Sequence, residues 1–189
     1  MRSRLTALAP VLVACTAAAC GDDGGSATEL EGIYQLASWT HNPDSCDGEG
    51  PDAPEATFYS HFFVKLESFL GEEFITTVFC SDLDECRATA AEEDTVHIGN
   101  YAFDGGSDGE GWTGRSLILQ IDETCSGSVF EATLTGDPGA SVRIDQETKT
   151  VSDVPLASDG CDEEAAYDQA APLPCEELTV VMGTFAEGI

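Results

Sequence analysis

Apolar and polar residues alternate along much of the chain, the period-two pattern of strands with one covered face. Between residues 30 and 40, Leu30, Gly32, Tyr34, Leu36 and Ser38 fall on one face, and Glu31, Ile33, Gln35, Ala37 and Trp39 on the other. Between 57 and 70, Phe62, Val64, Leu66 and Leu70 share a face, with His61, Lys65 and Glu67 opposite, on the side expected to be wet. Gly71-Glu72-Glu73 predicts a tight turn, after which residues 74–80 return as the hairpin partner. Further strands are predicted over 95–103, 115–122, 128–135, 141–144 and 149–154, with a last apolar strand over 178–185. Residues 41–56, 104–111 and Asp137-Pro138-Gly139 carry the Asn, Asp, Gly and Pro of loops and turns. The acidic, alanine-rich stretch 81–94 is compatible with a helical turn. The best helix spans 162–170: Asp162, Glu163 and Glu164 suit its positive N-terminal end, and Pro172 and Pro174 stop it.

Many short strands joined by turns predict an all-β, antiparallel domain, either a barrel or a β-sandwich. The order of elements, a long up-and-down run, one helix and a final strand, resembles the lipocalin and calycin group. The opening Leu30-Glu31-Gly32-Ile33-Tyr34-Gln35-Leu36 resembles that family's first strand, with Tyr34 where its G-x-W signature has tryptophan. The resemblance implies an up-and-down barrel of about eight strands, with one short C-terminal helix before the last strand. It also implies an apolar interior that holds a small hydrophobic molecule, with Tyr34, Leu36, Phe62, Val64 and Leu66 as lining residues. An eight-stranded barrel can instead be filled by its own side chains.

The first residues carry a different signal. Arg2 and Arg4 precede an uncharged run, rich in Leu, Val and Ala, from Leu5 to Ala19. That run is too short, and too interrupted by Pro10, to span a membrane, and it reads as a secretory signal. Ala17-Ala18-Ala19-Cys20 resembles a lipobox, the site where a bacterial lipoprotein is cut before a lipidated cysteine. Leu12-Val13-Ala14-Cys15 is a rival with the better first residue, and simple secretion with cleavage after Ala19 is the plainer alternative. Gly21-Asp22-Asp23-Gly24-Gly25-Ser26 after Cys20 has the composition of a flexible tether. Cysteine parity also favours Cys20: cutting there leaves Cys46, Cys80, Cys86, Cys125, Cys161 and Cys175, an even set for an oxidising compartment. The expected organisation is therefore a signal peptide over 1–19, a tether over 20–28 and one barrel domain over 29–189. The chain would be held on a membrane of the bacterial envelope, facing the periplasm or the cell surface.

The six cysteines read as three disulfides, and sequence alone does not choose among their pairings. Cys80 and Cys86 close a small loop and Cys161 and Cys175 bracket the predicted helix, which would leave Cys46 for Cys125.

Charge narrows the function classes. From Cys20 onward, five basic residues (Lys65, Arg87, Arg115, Arg143 and Lys149) face 36 acidic ones. Such a surface repels phosphate backbones and anionic headgroups, so nucleic acid is excluded as a partner. It suits a salty environment, where screening relieves self-repulsion.

The chemistry-bearing motifs are thin. Gly105-Gly106-Ser107-Asp108-Gly109 fits G-x-S-x-G, but Glu110-Gly111-Trp112 cannot open the helix that a nucleophile elbow needs. Asp104, Asp108 and Glu110 are oxygen ligands on a glycine-rich turn and form a weak calcium candidate. Asp82, Asp84 and Glu85 are a lesser one. His41, His61 and His97 are spread apart, so a zinc set is not indicated and structural or surface roles are expected. Trp39 and Trp112 read as core or rim aromatics. No catalytic residue, cofactor or firm metal site is assigned. The expected function is a lipid-anchored, lipocalin-like protein holding a small hydrophobic ligand. The alternative is an envelope structural or interaction lipoprotein without one.

Overall fold

The alternating segments pair with their neighbours in sequence and curl into a barrel. The structure, a computed structural model, describes residues 29–69, 72–92, 97, 101–103, 111–121, 124–158 and 160–189. Its strands are β1 (Gly32–Asn42), β2 (His61–Phe69), β3 (Glu72–Cys80), β4 (Tyr101–Phe103), β5 (Trp112–Ile121), β6 (Cys125–Asp137), β7 (Ser141–Val154), the short β8 (Leu156–Ala157) and β9 (Gly160–Cys161), and β10 (Glu177–Glu187). Two helices, α1 (Leu83–Ala90) and α2 (Glu163–Ala170), interrupt them.

Eight strands form one antiparallel sheet in the order β4-β3-β2-β1-β10-β7-β6-β5. Followed as a ring, this is an up-and-down barrel in which β10 returns to pair with β1, after the β8–β9 hairpin and α2. The ring is nearly closed at the seam between β4 and β5. There a Cβ on Gly114 would stand 1.9 Å from the Ala102 carbonyl oxygen, so only glycine lets the two backbones approach. The barrel prediction, with a helix before the last strand, is met, and the sandwich alternative is not.

Three apolar clusters hold the fold. The barrel interior buries Tyr34, Phe62, Val64, Ile75, Leu134 and Ile144, among others. Outside the barrel, α1 covers Ile33 and Phe63 with Ala90 and the Cys80–Cys86 bond. On the opposite wall, α2 lays Ala166 and Ala170 over Val129, Val151 and Val154. Each helix is short and depends on this packing. Each also has an aspartate N-cap: Asp82 accepts from Glu85 N at 2.9 Å and Asp162 from Ala165 N at 3.0 Å.

Several sequence expectations change. In β1 the register slips between Leu36 and Ser38, so Ala37 is the extra residue of a bulge. The bulge resets the alternation, and Trp39 joins Tyr34 and Leu36 in the interior cluster instead of facing outward. The strand expected from 57 begins at His61, because Pro54–Thr57 forms a 3-10 turn. Glu72 and Glu73, expected in the turn, belong to β3, since Phe69 pairs with Glu72. Strands 141–144 and 149–154 are one strand, β7. Of the strand expected over 95–103, β4 supplies the last three residues.

Three disulfides are present, but two pairings differ from the simplest sequence reading. Cys80 joins Cys86, whereas Cys46 joins Cys175 and Cys125 joins Cys161. The reason is geometric. Cys175 stands at the entry of β10, which pairs with the end of β1 (Asn42 opposite Leu178), so it meets Cys46 of the segment that follows β1. Cys125, buried beneath the start of α2, takes Cys161 instead. Cys20, Cys15, Ser107, Asp104, Asp108 and Glu110 lie outside the described residues.

Candidate functional site

Strand pairing brings the sequence-selected lining residues together. Tyr34 pairs with Phe62, and Tyr34, Leu36, Phe62, Val64 and Leu66 all lie in or against the interior cluster. The side chains of Tyr34, Phe62 and Val64 have 0% exposure. A void large enough for water beside them would register as accessible surface, so their immediate surroundings are filled.

Aromatic rings do the filling. Tyr34 stacks on Phe62 at 5.6 Å and meets Phe185 edge-on at 5.7 Å. Phe79 stands 5.3 Å from Phe62 and stacks at 4.4 Å on Trp39, which also stacks on Tyr59. A Cβ on Gly183 would lie 2.5 Å from Phe62 Cζ, so the Phe62 ring occupies the space that a β10 side chain would take.

Chain segments cross both ends of this column. At the Gly32 end, Tyr34 donates its hydroxyl to the Leu30 carbonyl at 2.8 Å, and Leu30 is itself buried. At the other end, the segment containing the 3-10 turn runs beside β1. His41 N donates to Pro51 O at 3.0 Å and Ala53 N to Trp39 O at 2.8 Å, which places Ala53 and Ala56 against the ring cluster. Two polar atoms of this region, Thr77 Oγ1 and Trp112 Nε1, are buried without a hydrogen-bond partner among the described residues.

Burial sets the acid–base behaviour of the interior. It raises the Tyr34 phenol from its ordinary 10.0 to about 12, and raises Tyr101 further, helped by the negative charge of Glu55. A folded-state value above the unfolded one means stability is intact below pH 10 and is lost as pH rises through 12. The expected result is that these two tyrosines leave stability unchanged up to about pH 10. Above that, phenolate absorbance from these two tyrosines develops together with loss of circular dichroism. Phenolate appearing well before unfolding would contradict this.

A second titratable group lies outside the barrel, under the C-terminal end of α1. His97 Nδ1 is 2.7 Å from Glu67 Oε1, and Lys65 Nζ is 3.6 Å from the same oxygen. His97 Nε2 donates to the Thr89 carbonyl at 2.8 Å, and Lys65 Nζ donates to Ala90 O at 3.0 Å. Donors at the last carbonyls of a helix satisfy groups that the helix itself leaves open, and positive charge there suits its dipole. The expectation that the Lys65–Glu67 face is wet is therefore corrected: α1 covers that wall, and of the structural and surface roles expected for His97 the structural one fits, since it is 6% exposed. The group serves to seat α1 on the barrel wall. Glu67→Ala should cost about 2 kcal/mol in urea unfolding, because it takes the hydrogen-bond partner away from Nδ1 of the buried His97. A cost under about 0.5 kcal/mol, the level of ordinary surface changes, would contradict that role.

The remaining candidates have structural employment. Asp82 caps α1, Glu85 accepts from Ser81 N and Oγ at 2.6 Å, and Asp84 pairs with Arg87 at 3.0 Å. These hydrogen bonds from Ser81 hold the Glu85 carboxyl below its ordinary range. His41 Nδ1 lies 3.1 Å from Thr179 Oγ1, and His61 Nδ1 lies 2.8 Å from Ser60 Oγ. Among the described residues, no three His, Cys, Asp or Glu side chains are grouped to hold a metal, and no helix is long and apolar enough to cross a membrane.

The fold thus defines the chain as a nearly closed, eight-stranded antiparallel barrel, compatible with a calycin-like fold. Comparison with family models, curated proteins and solved structures finds no match to it.

Proposed function

We propose that the chain is a lipid-anchored protein of the bacterial envelope whose lipocalin-like barrel acts as an interaction module through its outer surface. The lipobox-like Ala17-Ala18-Ala19-Cys20, the polar stretch after it and the disulfides support the address. One observation carries the choice of role. Tyr34, Phe62 and Val64, where a ligand-holding barrel would offer lining surface, have 0% exposure and are covered by neighbouring rings.

A fluorescent fatty-acid analogue tests this reading. The purified protein should show no saturable, stoichiometric uptake, and labelled palmitate should enter the wild-type chain in cells but not Cys20→Ala. Uptake of one analogue per chain, weakened by Phe62→Trp, would overturn the interaction role. It would favour a barrel that holds a small hydrophobic molecule. Thr77 Oγ1 and Trp112 Nε1, buried without a hydrogen-bond partner among the described residues, are the observation that supports that second reading.

A further inference from the structure

One of the three disulfides differs from the others in what can reach it. Cys80, Cys86 and Cys125 are 1%, 0% and 0% exposed, so the Cys80–Cys86 and Cys125–Cys161 bonds each have at least one cysteine closed to solvent. Cys46 and Cys175 are both partly exposed. Thiol–disulfide exchange proceeds by direct attack of a thiolate on a sulfur, so access governs its rate. Cys46–Cys175 is the bond that a reductant in solution meets first.

The same bond holds a cover in place. Residues 43–57 leave the end of β1 and finish in the 3-10 turn, with Ala53 in the interior cluster that holds Trp39, and Ala56 packed against it as Tyr59 is. The later part of this segment is tied to β1 by main chain: Ala53 N donates to Trp39 O, His41 N donates to Pro51 O, and Asp52 bridges Thr40. Over residues 43–50, the polar ties to the strands among the described residues are exposed ones. Asn42 Nδ2 donates to Gly48 O at 3.3 Å, Asp44 N donates to Asn42 Oδ1 at 3.3 Å, and Glu49 pairs with Arg143 at 3.1 Å. Exposed ties of this kind contribute little, so the covalent bond is what fixes this stretch against the entry of β10.

We propose that Cys46–Cys175 is a redox latch: a dithiol that reaches it opens the cover over the aromatic end of the barrel, while the other two disulfides keep the barrel folded. The thiolate of the dithiol attacks one of the two sulfurs, forming a mixed disulfide and releasing the other cysteine as a thiolate, which takes a proton from water. The second thiol of the dithiol loses its proton, displaces the mixed disulfide and frees the remaining cysteine, which is protonated in turn. Two electrons and two protons pass to the pair, and the dithiol leaves as a disulfide. The expected change is local. Residues 43–57 part from the entry of β10 and loosen from β1, Trp39 and Tyr59 meet water, and Tyr34, Phe62 and Val64 stay enclosed. Reoxidation closes the latch, because the segment remains joined to β1 and β2 at its two ends. The proposal goes beyond the interaction reading and holds whether or not the outer surface binds a partner.

Limited reduction of the purified protein tests this. Dithiothreitol is added under native conditions, free thiols are trapped by alkylation at successive times, and the labelled peptides are identified by mass spectrometry. Cys46 and Cys175 should be labelled at least tenfold faster than Cys80, Cys86, Cys125 and Cys161. In the species with only that pair reduced, amide hydrogen exchange over 43–57 should speed up at least tenfold, while β2 and β7 keep their protection. In a Trp112→Phe background, which leaves Trp39 as the one tryptophan, quenching of its fluorescence by acrylamide should at least double on reduction. The double variant Cys46→Ser, Cys175→Ser should show the same exchange and quenching without reductant. Three outcomes would overturn the proposal. Another disulfide is reduced first or equally fast; exchange over 43–57 is unchanged once Cys46 and Cys175 are free; or β2 and β7 lose protection together with the segment, in both the reduced chain and the serine variant, which would make the bond a staple of the whole fold. None of these readouts depends on fatty-acid uptake, so failure of the latch and failure of the interaction role are told apart.

Discussion

Phe62→Ala lowers the unfolding free energy by about 4 kcal/mol, inside the range of roughly 3–5 measured for buried Phe→Ala changes. Phe62 is fully buried, touches the rings of Tyr34 and Phe79, and lies over Gly183. The last contact decides the size of the effect. A site opposite glycine has no side chain to collapse into the vacated space, so the cavity term stays nearly whole. The same geometry predicts a coupling. Gly183→Ala in the wild type sets a Cβ 2.5 Å from Phe62 Cζ and 2.9 Å from Tyr34 Cβ, and should destabilise. In the Phe62→Ala background the first clash is gone, and the added methyl group should cost less or recover stability. Urea unfolding of the two single variants and the double variant measures this. Additive losses would mean that the Phe62 ring does not occupy the space above Gly183.

Replacing Cys46 and Cys175 together by serine should cost about 4–5 kcal/mol, the largest loss among the three disulfides. In the chain-entropy picture the contribution grows with the length of chain closed. The separations are 129 residues for Cys46–Cys175, 36 for Cys125–Cys161 and 6 for Cys80–Cys86. The Cys125–Cys161 loop is nested inside the longest one and shortens it without changing the order. Serine pairs at the other two sites should cost about 4 and about 2 kcal/mol on the same basis. The Cys46–Cys175 bond also ties the segment that crosses one barrel end to the entry of β10, so its loss should loosen the cover over Trp39 and Tyr59. Tryptophan fluorescence during unfolding would register that. An order of losses that ignores loop length would point to native-state contacts as the source of the stabilisation.

The legible parts of this fold were those decided locally. β2 was plain because Phe62, Val64 and Leu66 alternate strictly with Phe63, Lys65 and Glu67, and only the first set faces the interior. The N-terminus of α2 was plain because Asp162 can cap its own helix. What was not legible depends on partners distant in sequence. Nothing near Ala37 betrays a bulge, since the extra residue is defined by pairing with β10. The polar middle of β7, Asp145-Gln146-Glu147, interrupts the apolar pattern and splits one strand into two on paper. In three dimensions, Asp145 pairs with Arg143 on the outer wall, so the strand carries straight through.

α1 was barely visible because it buries only Cys86 and Ala90. Its cover over Phe63, Lys65 and Glu67 is why a face that reads as wet is largely covered. The His97–Glu67 contact spans 30 residues, and no motif announces it. That Tyr34, Leu36, Phe62, Val64 and Leu66 lie in or against the barrel's interior cluster was legible from their alternation.

The most direct measurement is native mass spectrometry of the protein extracted from cell envelopes under mild conditions. The expected mass is that of the chain from Cys20 with its lipid anchor and three disulfides, with no further small molecule. A stoichiometric, non-covalent hydrophobic adduct that is lost on unfolding would contradict the filled interior and return the barrel to the role of a ligand carrier.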